Sequence, residues 1–363
     1  MPLTALGAGD QAGAETIKVT NTKGGGKGSF AAAVQIANAG NDRDRILFVS
    51  RLSGDIPVPA RLDSFRDVVS LRSKSDEVRL VRVGTSAQLT FDDESVRGGR
   101  LKSNTLRGLE LVDVVVYATG ANLKVRASTI SGSGHPQRDG IYANYDGEIE
   151  VRNSTISGWD VGALALSGSR VIVKDSVIAG NGTGVGAGNA RVHVVRSTIT
   201  GNDETGASAV YYGGVSIRNS TLSSNGMALY GYAGVESSTV TGNAGLIESE
   251  TSYEPTITNS VVFANEPPGD QPVCTPGIVV SGGGNVFEEG NEVCLANDLP
   301  SDLFTGNAGL GPLAENGGPT PTHALAPDSP ALDHAIDTED PPKTDQRGVK
   351  RGSSPDSGSF ELK

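Results

Sequence analysis

The chain has 363 residues, with 30 Lys+Arg against 42 Asp+Glu and a formal net charge of −12 at pH 7. Glycine (49) and proline (18) are abundant while Phe (8), Tyr (8) and Trp (1) are scarce, which argues against a helix bundle or TIM barrel packed on bulky rings. The acidic balance argues against nucleic acid as a partner, since phosphate binding wants clustered positive charge, and no apolar run approaches the ~18–20 residues that cross a bilayer.

Residues 1–14 lack the charged and apolar regions of a signal peptide. They are expected to be disordered or the remnant of a trimmed leader, the other reading being a cytoplasmic chain. Residues 15–60 are expected to form an N-terminal strand and a capping helix. The strand is Thr16–Thr20, followed by a glycine loop, Gly24–Gly28. Ser29 then stands where a helix N-cap belongs, with Phe30, Val34 and Ile36/Ala37 as the apolar stripe. Strand, glycine loop and helix in that order invite a phosphate-loop reading, but Gly26-Lys27 is followed by Gly28 where the motif requires Ser or Thr.

From 61 to 300 a repeat governs the chain. Ser-Thr-Ile-Ser-Gly begins at Ser128 and returns at Ser154, with variants at Ser176, Ser197, Ser220, Ser238 and Ser260, at spacings of 26, 22, 21, 23, 18 and 22 residues. Each anchor follows an alternating strand such as Leu123/Val125 or Val171/Val173. Each precedes a second short strand beyond an Asn/Gly/Asp turn. Short strands at a period of ~22 with no 3.6-residue pattern between them exclude a βαβ array. The fold class is therefore all-β, a single right-handed parallel β-helix whose strands stack ~4.8 Å apart from coil to coil. Ile130, Ile156, Ile178, Ile199, Leu222 and Val240 should form one buried ladder.

Cys274 and Cys294 are the two cysteines. They lack the CxxC and nearby histidines of a zinc site, which leaves either one loop-closing disulfide or two unrelated buried thiols. Residues 301–363, rich in Pro, Gly and Asp, are expected to be an irregular tail packed along the solenoid.

The segment from Val19 to Val34, the Asn-Ser-Thr-Ile-Ser-Gly coils, and the tail with Leu310-Gly-Pro-Leu-Ala-Glu-Asn-Gly-Gly-Pro, Ser329-Pro-Ala-Leu-Asp and Asp345-Gln-Arg-Gly together resemble secreted bacterial β-helix repeat proteins of the choice-of-anchor or pectate-lyase-like group. The resemblance covers nearly the whole chain. It implies a secreted or cell-surface protein and favours a Cys274–Cys294 bridge. The chain departs from many of those relatives at Ser357-Gly-Ser-Phe-Glu-Leu, where they carry a cysteine.

Three features bear on chemistry. Gly134-His-Pro-Gln-Arg-Asp-Gly-Ile-Tyr-Ala, on the longest coil, places His135, Arg138, Asp139 and Tyr142 on one protruding turn and its following strand, similar to polysaccharide-active β-helices. Two residues before successive anchors stand Arg126, Arg152, Lys174, Val195, Arg218, Glu236 and Thr258. That row of cations, with His193 and Arg196 nearby, is expected to be neutralised by Glu150 and Asp175 or by a bound polyanion. Six tyrosines (Tyr142, Tyr145, Tyr211, Tyr212, Tyr230, Tyr232) fall on or just after one strand of successive coils, a row suited to stacking on sugar rings.

The function expected is a polysaccharide lyase or related enzyme acting on an anionic, uronate-containing polysaccharide. Arg138, Arg152 or Lys174 would neutralise the uronate and His135 or Tyr142 would move protons, with Asp139 orienting His135 or serving as a candidate Ca²⁺ ligand. Substrate contacts are expected from Arg126, Tyr145, Asp160, His193, Tyr211, Arg218 and Tyr230. The alternatives are a non-catalytic, adhesin-like glycan binder and, below elimination, a glycoside hydrolase using Asp139 and Asp160. The chain is expected to act as a monomer, with its functional surface on the face that carries the long coil 132–153, near the row of Arg126, Arg152 and Lys174 and with Tyr142 as a stacking platform.

Overall fold

The computed structural model describes residues 15–39, 44–59, 62–65, 70–74, 77–83, 87–92, 103–134, 138–249, 254–267, 269, 271–297 and 299–363. These form the expected right-handed parallel β-helix of three sheets, with twelve, twelve and eight strands. One coil contributes one strand to each. Glu148–Arg152 lies in the first sheet, Thr155–Ser157 in the second and Val161–Leu166 in the third. The opening segment is already solenoid, since Thr16–Val19 and Arg45–Phe48 pair in the first sheet and Gly54–Val58 begins the second.

Alternation sets the inside and the outside. Ile130, Ile156, Ile178, Ile199, Leu222 and Val240 are register partners from coil to coil and are wholly buried, as the repeat predicted. The anchor serines solve a different problem. The bend between first and second sheets is made by one left-handed residue per coil, such as Asn153, Asp175 and Asn219, and the serine that follows is buried. Its hydroxyl donates to the carbonyl two residues back (Ser154 to Arg152, 2.9 Å). It accepts from the anchor amide of the preceding coil (Ser128 to Ser154, 3.2 Å), and the pattern continues to Ser260.

A second ladder runs through the bend between second and third sheets. Asn181, Asn202, Asn225, Asn243 and Asn265 are buried, and each side-chain amide donates to the carbonyl oxygen of the next, at 2.7–2.9 Å. Backbone amides at both bends would otherwise be buried without partners, which costs ~1–3 kcal/mol each.

Ser29 caps the helix Phe30–Ala37 by accepting from the Ala32 amide. The buried stripe is Phe30, Ala33, Val34 and Ala37. Ile36 is 53% exposed, because only the i, i+3, i+4, i+7 positions face the first coil.

Cys274 and Cys294 are joined in a disulfide. The tail begins with Leu303–Thr305, which extends the second sheet, and continues with an antiparallel hairpin of Leu310–Ala314 and Thr322–Leu325. It then lies across the outer face of the second sheet. Gln346 donates to Thr198 Oγ1 and accepts from Thr221, and Ser359 donates to Thr239. The tail is closed by buried charge. Arg351 donates to Asn219, Gly358 O, Asp356 O and Glu361, while Asp345 accepts from Arg347 and from the Val349 and Glu361 amides.

Candidate active site on the third-sheet wall

Strand Asp139–Asn144 turns Asp139, Tyr142 and Asn144 outward and Ile141 and Ala143 inward. Trp159 supports it from beneath, in the place where later coils carry the ladder asparagine. Its amide donates to Asn181 Oδ1 and its indole N–H to the Ile130 carbonyl. A Cβ at Gly140 would come within 2.8 Å of the indole Cδ1, so the glycine beside Asp139 is what lets the ring approach.

Five side chains gather on this wall. Tyr117 is the register partner of Tyr142, with ring centroids 5.1 Å apart. The Asp160 amide donates to the Arg138 carbonyl at 2.9 Å, which places Arg138-Asp139 and Asp160-Val161 on neighbouring rungs. Burial, then the Asp160 charge, push the Asp139 carboxyl up to about 6. Burial, then the Asp139 charge, also raise both phenols, while Arg138 pulls Tyr117 down. The Tyr142 hydroxyl accepts from the Asn144 amide at 3.1 Å. The arrangement combines a carboxyl poised near neutrality, two phenols held protonated, a guanidinium and a second carboxylate.

His135 lies outside the described residues. Arg126, Arg152, Lys174 and Arg218 form the expected row, in register with Val195, Glu236 and Thr258. The row is on the first sheet, however, at the end of each strand next to the second-sheet bend. Arg152 is four residues, about 13 Å of strand, beyond the corner that separates it from Tyr142. The expectation that these cations and the Asp139 turn share one face is therefore corrected. The row also carries its own anions. Glu150 takes Arg152 at 2.8 Å and Arg126 at 3.5 Å, and Arg218 pairs with Glu236 and Asp340.

Of the substrate-contact candidates, Tyr145 and Tyr211 are strongly exposed at the bend between third and first sheets. Tyr230 stands outward in the Tyr117–Tyr142 row. His193 is half-buried on the first sheet, where burial and then Arg170 and Arg191 lower its pKa. Sequence reading missed Tyr117, although it falls one coil before Tyr142. Among the described residues no group of three or more acidic, His or Cys side chains is placed to hold a metal. Asp139 and Asp160 are two carboxylates where Ca²⁺ takes 6–8 oxygens, so they do not fit a resident Ca²⁺ site.

Three parallel sheets wound coil upon coil define a β-helix protein. The chain belongs to the right-handed β-helix region family, whose description matches residues 112–294. Among solved structures it is similar to the crystal structure of pectate lyase Pel9A, with a TM-score of 0.55 and 16% identity over 96% of this chain and 97% of that one, a likeness of fold. No curated protein matches. Among the described residues no helix is long and apolar enough to cross a membrane.

Proposed function

We propose that this is an exported polysaccharide lyase or related enzyme acting on uronate-containing polysaccharide, with its site on the third-sheet wall. The observation that carries the reading is Asp139, held near neutrality beside Arg138 and the protonated Tyr142. In β-elimination Arg138 pairs with the uronate carboxylate and so acidifies C5–H. Asp139 takes that proton, the electron pair forms the C4–C5 double bond, and the C4–O bond breaks. The departing oxygen takes a proton from Tyr142. A base with a pKa near the working pH is the favoured case for proton abstraction. His135 remains the alternative proton carrier. Arg152 and Lys174, on another wall, have no role in this step. The disulfide supports export, since such bonds persist in oxidising compartments.

The Asp139–Asp160 pair favours one second reading, glycoside hydrolysis, with Asp139 as the acid and Asp160 as the base. The two predict opposite pH limbs. As the base of a lyase Asp139 must be ionised, so kcat/KM on polygalacturonate or alginate rises as pH climbs through about 6, and the product absorbs in the ultraviolet as an unsaturated uronate. As the acid of a hydrolase it must be protonated, so the rate falls over the same range and reducing ends appear without that absorbance. Asp139→Asn lowers turnover at least ~10²-fold in either case. Retention of polymer with no product from any of them replaces both readings with the binding-only one.

A further inference from the structure

The bend between third and first sheets repeats in coil after coil with residues in the left-handed region. These are Tyr145-Asp146 (φ 49° and 61°), Ser167-Gly168 (51° and 79°), Asn189 (48°) and Tyr211-Tyr212 (50° and 63°). Glycine, asparagine and serine suit such a bend, whereas a bulky side chain adopts it at a cost of about 1–2 kcal/mol. Core burial does not offset that cost at the tyrosines, because Tyr145, Tyr211 and Tyr212 are 66%, 78% and 79% exposed. Neither turn chemistry nor core packing accounts for Tyr145 and Tyr211.

The surroundings of the tyrosine pair supply a second, independent observation. Arg191 donates Nη1 to the Tyr212 carbonyl at 3.0 Å and to the Ala190 carbonyl. It pairs with no carboxylate among the described residues. Its head lies over Gly214, beside the half-exposed Tyr232. A Cβ at Gly214 would meet Tyr232 Cδ1 at 3.2 Å and Arg191 Nη1 at 3.5 Å, so the missing side chain is what seats the two together. Arg170 is the register partner of Arg191 one coil earlier. The two arginines hold His193 below its ordinary proton affinity after burial has done so, against the smaller opposing pull of Glu148, which pairs with Arg170 at 3.9 Å; the balance at this spot is positive on a chain of net charge −12.

We propose that Tyr211, Tyr212, Tyr232 and Arg191 form a docking platform for an acidic polysaccharide strand, whose sugar faces stack on the rings and whose carboxylates meet Arg191 and Arg170. Tyr145 occupies the equivalent bend three rungs earlier, about 14 Å along the axis, next to Tyr142. The strand therefore lies lengthwise along the solenoid, reaching from the platform to the Asp139 wall. The platform rests on the polysaccharide reading and extends it from the reacting unit to the polymer. Charge decides the occupant. A neutral glycan has no use for the arginines, and a second copy of this chain would bring a like net charge.

Electrophoresis of the whole chain through gels containing polygalacturonate, alginate or dextran tests this. Wild type is retarded by at least one of the two uronate polymers and not by dextran. Tyr211→Asn/Tyr212→Gly, which suits the left-handed bend, and separately Arg191→Gln, weaken retention about tenfold. Asp139→Asn keeps the retention while losing turnover. Unchanged retention in both platform variants overturns the platform and leaves the catalytic reading standing. Equal retardation by dextran, no retardation of wild type, or a platform variant that changes only the oligomeric state also overturns it. Retention lost in the platform variants, with no product from any polymer, upholds the platform and removes the enzyme.

Discussion

The outer wall of the second sheet and the outer wall of the third are built from the same coils and treated in opposite ways. From Thr198 onward the second-sheet wall is covered by the tail, and its outward threonines bond to Gln346, Ser359 and the Pro321 carbonyl. Upstream, where no tail lies, the equivalent Thr129 is exposed. Thr198, Thr221 and Thr239 on the covered wall are each accounted for by the tail residue they touch. On the third-sheet wall the regularity stops: Trp159 replaces a ladder asparagine beneath it, a carboxyl is pushed up to about 6 beside another, and tyrosines occupy turns that favour smaller residues. Where local rules are broken at exposed positions without a packing gain, as at Tyr145 and Tyr211, the surface itself is the reason.

The contrast is sharpest where it is most costly to disturb. Arg351→Met removes the cation at the centre of the tail clamp, a side chain 4% exposed and paired with Glu361 at 3.3 Å. Denaturant unfolding should show a loss of about 3–5 kcal/mol; a loss below ~1 kcal/mol would mean that the tail merely rests on the second sheet. Ile178→Ala, in the shared core beneath both walls, should cost about 2–5 kcal/mol. A smaller cost would show that neighbouring coils close the cavity, contrary to a rigid ladder.

The third change has the opposite sign. Asp139 has its folded-state pKa raised from 3.8 to about 6, so the native state binds its proton more tightly than the unfolded chain does. That contribution is fully present below about pH 4 and is lost as pH rises through about 6. Asp139→Asn should therefore raise the melting free energy at pH 8 by about 1–2 kcal/mol, after allowance for solvent screening. Below about pH 4 it should change it little. A wall kept for chemistry gains stability when that chemistry is removed; a destabilised variant at pH 8 would mean that the carboxylate is held by partners, like those of the covered wall.

Much of this was legible in the amino-acid sequence, because a solenoid converts sequence period into spatial neighbourhood. The Ser-Thr-Ile anchors placed Ile130 through Val240 in one ladder, and the same register put Arg126, Arg152 and Lys174 in one row. The ladder asparagines were legible too and went unread: Asn181 to Asn265 repeat at 21, 23, 18 and 22 residues, the spacings of the serines. Angles around the coil were not legible. Period says which residues stack but not which wall they share, so it does not separate Arg152 from the face of Tyr142. The path of the tail was also hidden, since Gln346 and Arg351 bond to residues more than a hundred positions away and no local pattern encodes that.

That reach has a consequence for how the molecule is completed. The coils can wind in order, each onto the one just made, because their ladders join residues about 18–26 positions apart. The clamp cannot form in this way. Gln346 reaches back 148 positions to Thr198, and Ser359 reaches 120 to Thr239. A chain emerging N-terminus first therefore shows a bare threonine wall until residues 346–359 arrive. A product cut short before Asp345 keeps that wall open to wrong partners, as incompletely folded chains do. The tail thus binds back onto coils made more than a hundred residues earlier, a contact that a chain lacking it has no means to make.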